Sequence, residues 1–72
     1  MNYESGRYLA VNTMGVQIGM IDGDEFIRDH SNRLIYRVDD DKVYDLNGVL
    51  LGRLDSGRLV VNGKLIFTLV LE

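Results

Sequence analysis

The chain has 72 residues with no cysteine and no proline, 46% hydrophobic and 26% charged residues, and a formal net charge of -3. That length supports one domain spanning 1–72, close to the lower size at which a single core outweighs chain entropy, and without cysteine neither disulfides nor a thiolate metal site can supplement it. The acidic balance and the singly scattered Lys and Arg argue against nucleic acid, whose phosphates are held by clustered cations.

Residues 1–7 carry an early Glu4 and no apolar stretch, so they do not read as a secretory signal. No apolar run approaches the roughly 18 residues of a membrane span, and no basic amphipathic segment suggests a membrane surface. The expected setting is the cytoplasm, without membrane contact.

Four turn signals come in order along the chain: Glu4 to Arg7, Asp22 to Asp24, Asp39 to Asp41 and Asp55 to Arg58. Gly6, Gly23, Asp40 and Gly57 fall at a constant spacing of about 17 residues, a period that signals a repeat of hairpins. The segments Ile18 to Ile21, Ile35 to Val38 and Leu51 to Leu54 each precede a turn, and Ile66 to Leu69 is their fourth counterpart. Leu9 to Val11, Phe26 to Arg28, Val43 to Asp45 and Val60 to Asn62 each follow one. Short Val-, Ile- and Tyr-rich runs bounded by Asn-Gly or Asp-Ser-Gly read as strands, and no run holds a helical period with caps. The linkers are Thr13 to Gly15, His30 to Asn32, Asn47-Gly48 and Asn62-Gly63; Asn-Gly suits the positive φ of a type I′ turn.

Four strands of each kind leave the first and the last unpaired unless they pair with each other. The predicted fold is therefore all-β: a small closed barrel of four β-hairpin repeats with pseudo-four-fold symmetry, Tyr8 to Val11 lying against Ile66 to Leu69. Closure removes the two free edges that so short a sheet would otherwise expose.

The alternation of side chains along a strand assigns the faces. Gly19, Tyr36, Gly52 and Phe67 are equivalent positions on the inside, with Ile21, Val38, Leu54 and Leu69 two residues on. Glycine alternating with an aromatic is what a narrow axis requires. Leu9, Phe26, Val43 and Val60 are expected to add a second inner layer. Met20, Arg37, Arg53 and Thr68 then face outward, and so do Ile18, Ile35, Leu51 and Ile66, which form an apolar belt exposed in a monomer unless residues such as Tyr3 fold over it.

The segment Val43-Tyr44-Asp45-Leu46-Asn47-Gly48-Val49-Leu50-Leu51-Gly52, continuing through Arg53-Leu54-Asp55-Ser56-Gly57 and followed by Ile66-Phe67-Thr68, resembles the central signature of the small bacterial proteins called four-fold β-flowers. Arg53 stands where that pattern often has an aromatic. The resemblance implies a shallow barrel of hairpin petals around an apolar centre, and it brings no activity and no catalytic residue. Tubby-like and PRC-barrel folds are more distant likenesses.

Four features could carry chemistry. Asp39-Asp40-Asp41 with Asp45 offers oxygen ligands, but without the glycine and downstream glutamate of a calcium loop it reads as a solvated turn, and no metal or cofactor is expected. Asp29-His30-Ser31 holds the residue types of a triad, yet adjacent residues do not converge as a triad must, so no catalytic residue is assigned. Asp22, Asp39 and Asp55 could ring a pore, or each could cap its own turn by accepting a backbone N–H; the second is expected. The belt of Ile18, Ile35, Leu51 and Ile66 is the favoured binding surface, with Arg37 and Arg53 at its rim to orient a partner, because a contiguous apolar patch on a small domain marks an interface. The function expected is a non-enzymatic interaction module, self-associating or binding another protein. The alternative is a cup for a small apolar ligand or lipid on the axis.

Overall fold

The computed structural model describes Tyr3 and residues 5–72, so Glu4 of the first predicted turn lies outside the described residues. Eight strands alternate in direction: β1 (Arg7–Val11), β2 (Gln17–Asp22), β3 (Phe26–Arg28), β4 (Leu34–Asp39), β5 (Lys42–Tyr44), β6 (Leu50–Asp55), β7 (Arg58–Val61) and β8 (Lys64–Leu71). Each pairs antiparallel with the next, and β8 returns to β1, closing the barrel. Closure is displaced by two residues from the expected register, with Tyr8 to Val11 against Leu71 to Thr68. Because β8 runs on past Leu69, it has more backbone to offer than the repeat predicted. A shift of two keeps every side chain on its face, and the Glu72 N–H donating to the Arg7 carbonyl at 2.9 Å fixes the end.

Directly opposed residues share a face, so the register identifies the interior. Ala10 faces Gly19, Ile27 faces Tyr36, Val43 faces Gly52 and Leu59 faces Phe67. Ala10, Ile27, Val43 and Leu59 are all fully buried. They replace Leu9, Phe26 and Val60 as the second inner layer, and of the expected set only Val43 stands. Leu9 and Phe26 are half-buried and Val60 is 49% exposed. The reason is that the repeat is not of constant length. Three residues join β2 to β3, whereas Asp40-Asp41 and Ser56-Gly57 join the later pairs, so a fixed count of 17 drifts by one from the true inner position.

The axis is as the sequence implied. Tyr36 and Phe67 come from β4 and β8, half the ring apart, and their rings meet at 5.3 Å between centroids with a 43° tilt. Gly19 and Gly52 lie on β2 and β6, across the other diameter. A Cβ on Gly19 would stand 2.8 Å from the Arg28 carbonyl oxygen and 2.9 Å from a methyl of Ile27; on Gly52 it would stand 3.1 Å from a methyl of Leu59. The centre is thus filled by side chains and closed in by backbone, as interiors of small barrels are.

An up-and-down ring has two ends. The turns β2–β3, β4–β5 and β6–β7 and the meeting of the termini lie at one, and the linkers β1–β2, β3–β4, β5–β6 and β7–β8 at the other. At the turn end Tyr3 is buried against Tyr8, edge to face at 5.0 Å, and covers the core beside Gly57. Burial, and to a lesser degree the Tyr8 charge, pushes the Tyr3 hydroxyl pKa upward. Tyr3 therefore closes the end away from Ile18, Ile35, Leu51 and Ile66, so the alternative in which it folds over that belt does not hold.

Candidate interaction surface

Four bulges decide what the surface carries. In each linker-end pair two residues oppose one: Ile18 and Gly19 against Ala10, Ile35 and Tyr36 against Ile27, Leu51 and Gly52 against Val43, and Ile66 and Phe67 against Leu59. A bulge inserts a residue and re-aims its side chain. Ile18, Ile35, Leu51 and Ile66 are the inserted residues, half-buried and packed on the core. Ile35 reaches within 3.1 Å of the inward Cβ position of Gly19. The expected outward belt is therefore the apolar floor of the core at the linker end, because unbroken alternation does not hold across a bulge.

The linkers themselves are built alike. Asn12, Asp29 and Asp45 each accept two backbone N–H bonds through Oδ1, from residues two and four further on, at 2.8 to 3.0 Å. Their own carbonyls accept from Gly15, Asn32 and Gly48, all at positive φ. This side-chain mimicry of a backbone turn is what Asn and Asp do best; the paired form sits at the linkers, while at the turns Asp24 accepts a single N–H, from Phe26 at 2.9 Å. Asp22, Asp39 and Asp55, expected to cap the turns, are exposed instead; Asp22 faces Arg7 at 3.7 Å and Asp39 faces Arg37 at 3.9 Å. The fourth linker is a two-residue turn with both Asn62 and Gly63 at positive φ, as a type I′ turn requires.

These linkers and the strand ends beside them hold most of the large exposed apolar side chains; Val60 on β7 and Val70 and Leu71 at the closure are the others. Met14 is 84% exposed, Leu46 62%, and Val16, Val49 and Leu50 about half, with Leu34 beside them. All belong to the linker end, around Ile18, Ile35, Leu51 and Ile66. A sequence signal existed in the adjacent apolar pairs Leu34-Ile35, Leu50-Leu51 and Leu65-Ile66, which break a period of two.

Charge is segregated to the other end. Asp22, Asp24 and Glu25, then Asp39 to Asp41, Asp55 and Glu72 lie at the turns and the closure. Among the described residues, Asp29 and Asp45 are the acidic residues of the linker end, where Arg33 and Lys64 balance them. Arg37 and Arg53 do not rim the apolar floor. Arg37 lies on the outer wall, 5.4 Å over the Tyr44 ring and 3.3 Å from Glu25, and exposed Arg53 sits opposite Lys42.

The polar clusters do not converge. Below the Met20–Arg28 pair β2 and β3 part, leaving an outer groove of about 560 Å³ lined by Gln17, Met20, Arg28, Asp29, His30 and Asn32. His30 Nε2 spans it to the Gln17 carbonyl at 2.9 Å, while Arg28 is held by Asp24 at 2.6 Å. The Asp29 carboxylate is turned to its own linker backbone, chiefly the Arg33 N–H, which with the Ser31 N–H and the Arg33 and His30 charges keeps its pKa below the usual carboxylate value. Asp45 lies at the opposite end from Asp40, and among the described residues no group of three or more His, Asp or Glu could hold a metal ion.

Asp24 provides a pH test. Partial burial raises its pKa, but the Phe26 N–H and the hydrogen bond and charge of Arg28 more than offset this, so the carboxyl titrates below its ordinary value. A lowered native pKa stabilises the fold above the unfolded value, near 4, and that stability is lost as pH falls through the native one. Asp24→Asn should cost up to about 1 kcal/mol at neutral pH, as surface pairs do, and should flatten the loss of stability below pH ~4 in urea titrations.

Among the described residues no helix is long and apolar enough to cross a membrane. No family model matches the chain, and no curated protein and no solved structure is detectably similar to it.

Proposed function

We propose that the chain is a non-enzymatic protein-interaction module that self-associates through the linker end of its barrel. The observation that carries this reading is the concentration of Met14, Val16, Leu34, Leu46, Val49 and Leu50, all exposed, around an apolar floor. Patches of this kind mark contact surfaces on soluble domains. Burying them contributes about 25 cal/mol per Å² removed from water, set against the freedom lost on association. The linkers are already held by their Asn12, Asp29 and Asp45 bonds, so little further ordering is needed on contact.

The double substitution Leu46→Asp with Leu50→Asp tests the reading, because both side chains are exposed and the fold should survive. In sedimentation equilibrium the unaltered chain should exceed its monomer mass and the variant should not. A monomeric unaltered chain at high concentration would contradict the proposal.

A further inference from the structure

We infer that two copies meet linker end to linker end about a two-fold axis, so that association stops at a dimer. The inference rests on the self-association proposed above and specifies its geometry. The two ends of the barrel differ in kind, which limits how copies can stack. In a head-to-tail stack the apolar side chains of Met14 and Leu46 would press on the acidic turns of the next copy, stripping water from Asp40 and Asp55 without supplying partners. Burial of unpaired carboxylates is strongly unfavourable. Nor does the linker end have surplus positive charge to attract those turns, since Arg33 and Lys64 are matched by Asp29 and Asp45.

Linker end against linker end has neither difficulty. Apolar surface meets apolar surface, and the acidic ends point away from each other. Each barrel extends 24 to 27 Å along its principal axes, so the acidic poles lie far beyond the screening length of about 8 Å at physiological salt. A contact that uses the same patch on both copies is self-complementary and closes at two, whereas a head-to-tail contact would continue into chains or rings.

The absence of cysteine makes the test direct. Asn47→Cys places a thiol on a linker tip without removing an apolar contact, and Asp55→Cys places one at the acidic end. Each full-length variant, and a mixture of the two carrying tags of different size, is treated with a bis-maleimide whose reach is well under the 24 Å extent of the barrel. The expected result is covalent dimers of Asn47→Cys, none of Asp55→Cys, and no mixed product. Mixed 47-to-55 products, or a ladder beyond dimers, would overturn the two-fold arrangement. Failure of Asn47→Cys to link while sedimentation still reports a dimer would overturn the geometry and leave self-association standing. A monomeric unaltered chain would overturn both.

Discussion

Phe67→Ala is expected to remove a large share of the stability of the fold, more than any other single substitution in the barrel. The ring is fully buried and meets Tyr36 at 5.3 Å across the barrel, so its removal empties the middle of the core and leaves Tyr36 without its partner. Replacing a buried Phe by Ala costs about 3–5 kcal/mol. A chain of this length has a total stability of roughly 4–11 kcal/mol, and the loss is a large share of it. Phe67→Leu, which keeps most of the volume, should lose much less. Urea midpoints for the two variants measure this. A loss below about 1 kcal/mol for Phe67→Ala, far under the usual range, would mean the axis is not packed by that ring.

Gly19→Ala should be the next most damaging single change, and much worse than Gly52→Ala. Gly19 has no need of a left-handed backbone; the obstacle is contact. Its added carbon would meet the Arg28 carbonyl at 2.8 Å, and backbone in a paired strand cannot swing aside. Overpacking of this kind costs about 1–3 kcal/mol. At Gly52 the nearest atom is a Leu59 methyl at 3.1 Å, the end of a side chain that can rotate, and the next is the Val60 carbonyl oxygen at 3.5 Å. Lower entropy of the unfolded chain returns about 0.4–1 kcal/mol to an alanine, so Gly52→Ala should be near neutral. Equal losses at both sites in thermal unfolding would contradict this reading of the two glycines.

These two experiments probe the part of the fold that was legible in the sequence. Turn residues such as Ser56-Gly57 and Asn62-Gly63 announce hairpins because few residues accept positive φ, and counting strands then forces β1 against β8. The exchange of glycine and aromatic at Gly19, Tyr36, Gly52 and Phe67 follows from the narrowness of the ring. What was not legible was the bulge. Period-two counting puts Ile18, Ile35, Leu51 and Ile66 on the outside, and one inserted residue per hairpin is enough to turn them onto the core. The same arithmetic misplaced Leu9, Phe26 and Val60, since a three-residue turn before β3 and two-residue turns later make the repeat shorten along the chain.

The surface was harder to read for a related reason. Once the bulges draw four apolar residues inward, the linkers carry most of the exposed apolar side chains, and their Asn, Asp and Gly residues read from sequence as turn chemistry alone. Asn12, Asp29 and Asp45 have the residue types of turn formers, yet it is in the folded chain that they fix three similar loops, two of which display Met14, Val16, Leu46 and Val49. The acidic turns, by contrast, were visible as Asp39-Asp40-Asp41. Their segregation to one end depends on closure, which places every turn opposite every linker.

Closure of the ring by its first and last strands is the claim on which the interior, the two ends and the proposed contact all depend. Nuclear Overhauser contacts between backbone protons of residues 8–11 and 68–71 test it most directly. The account predicts a continuous antiparallel set centred on Leu9 with Val70 and Ala10 with Leu69. Contacts from β1 to β2 alone, with β8 showing none beyond β7, would contradict it.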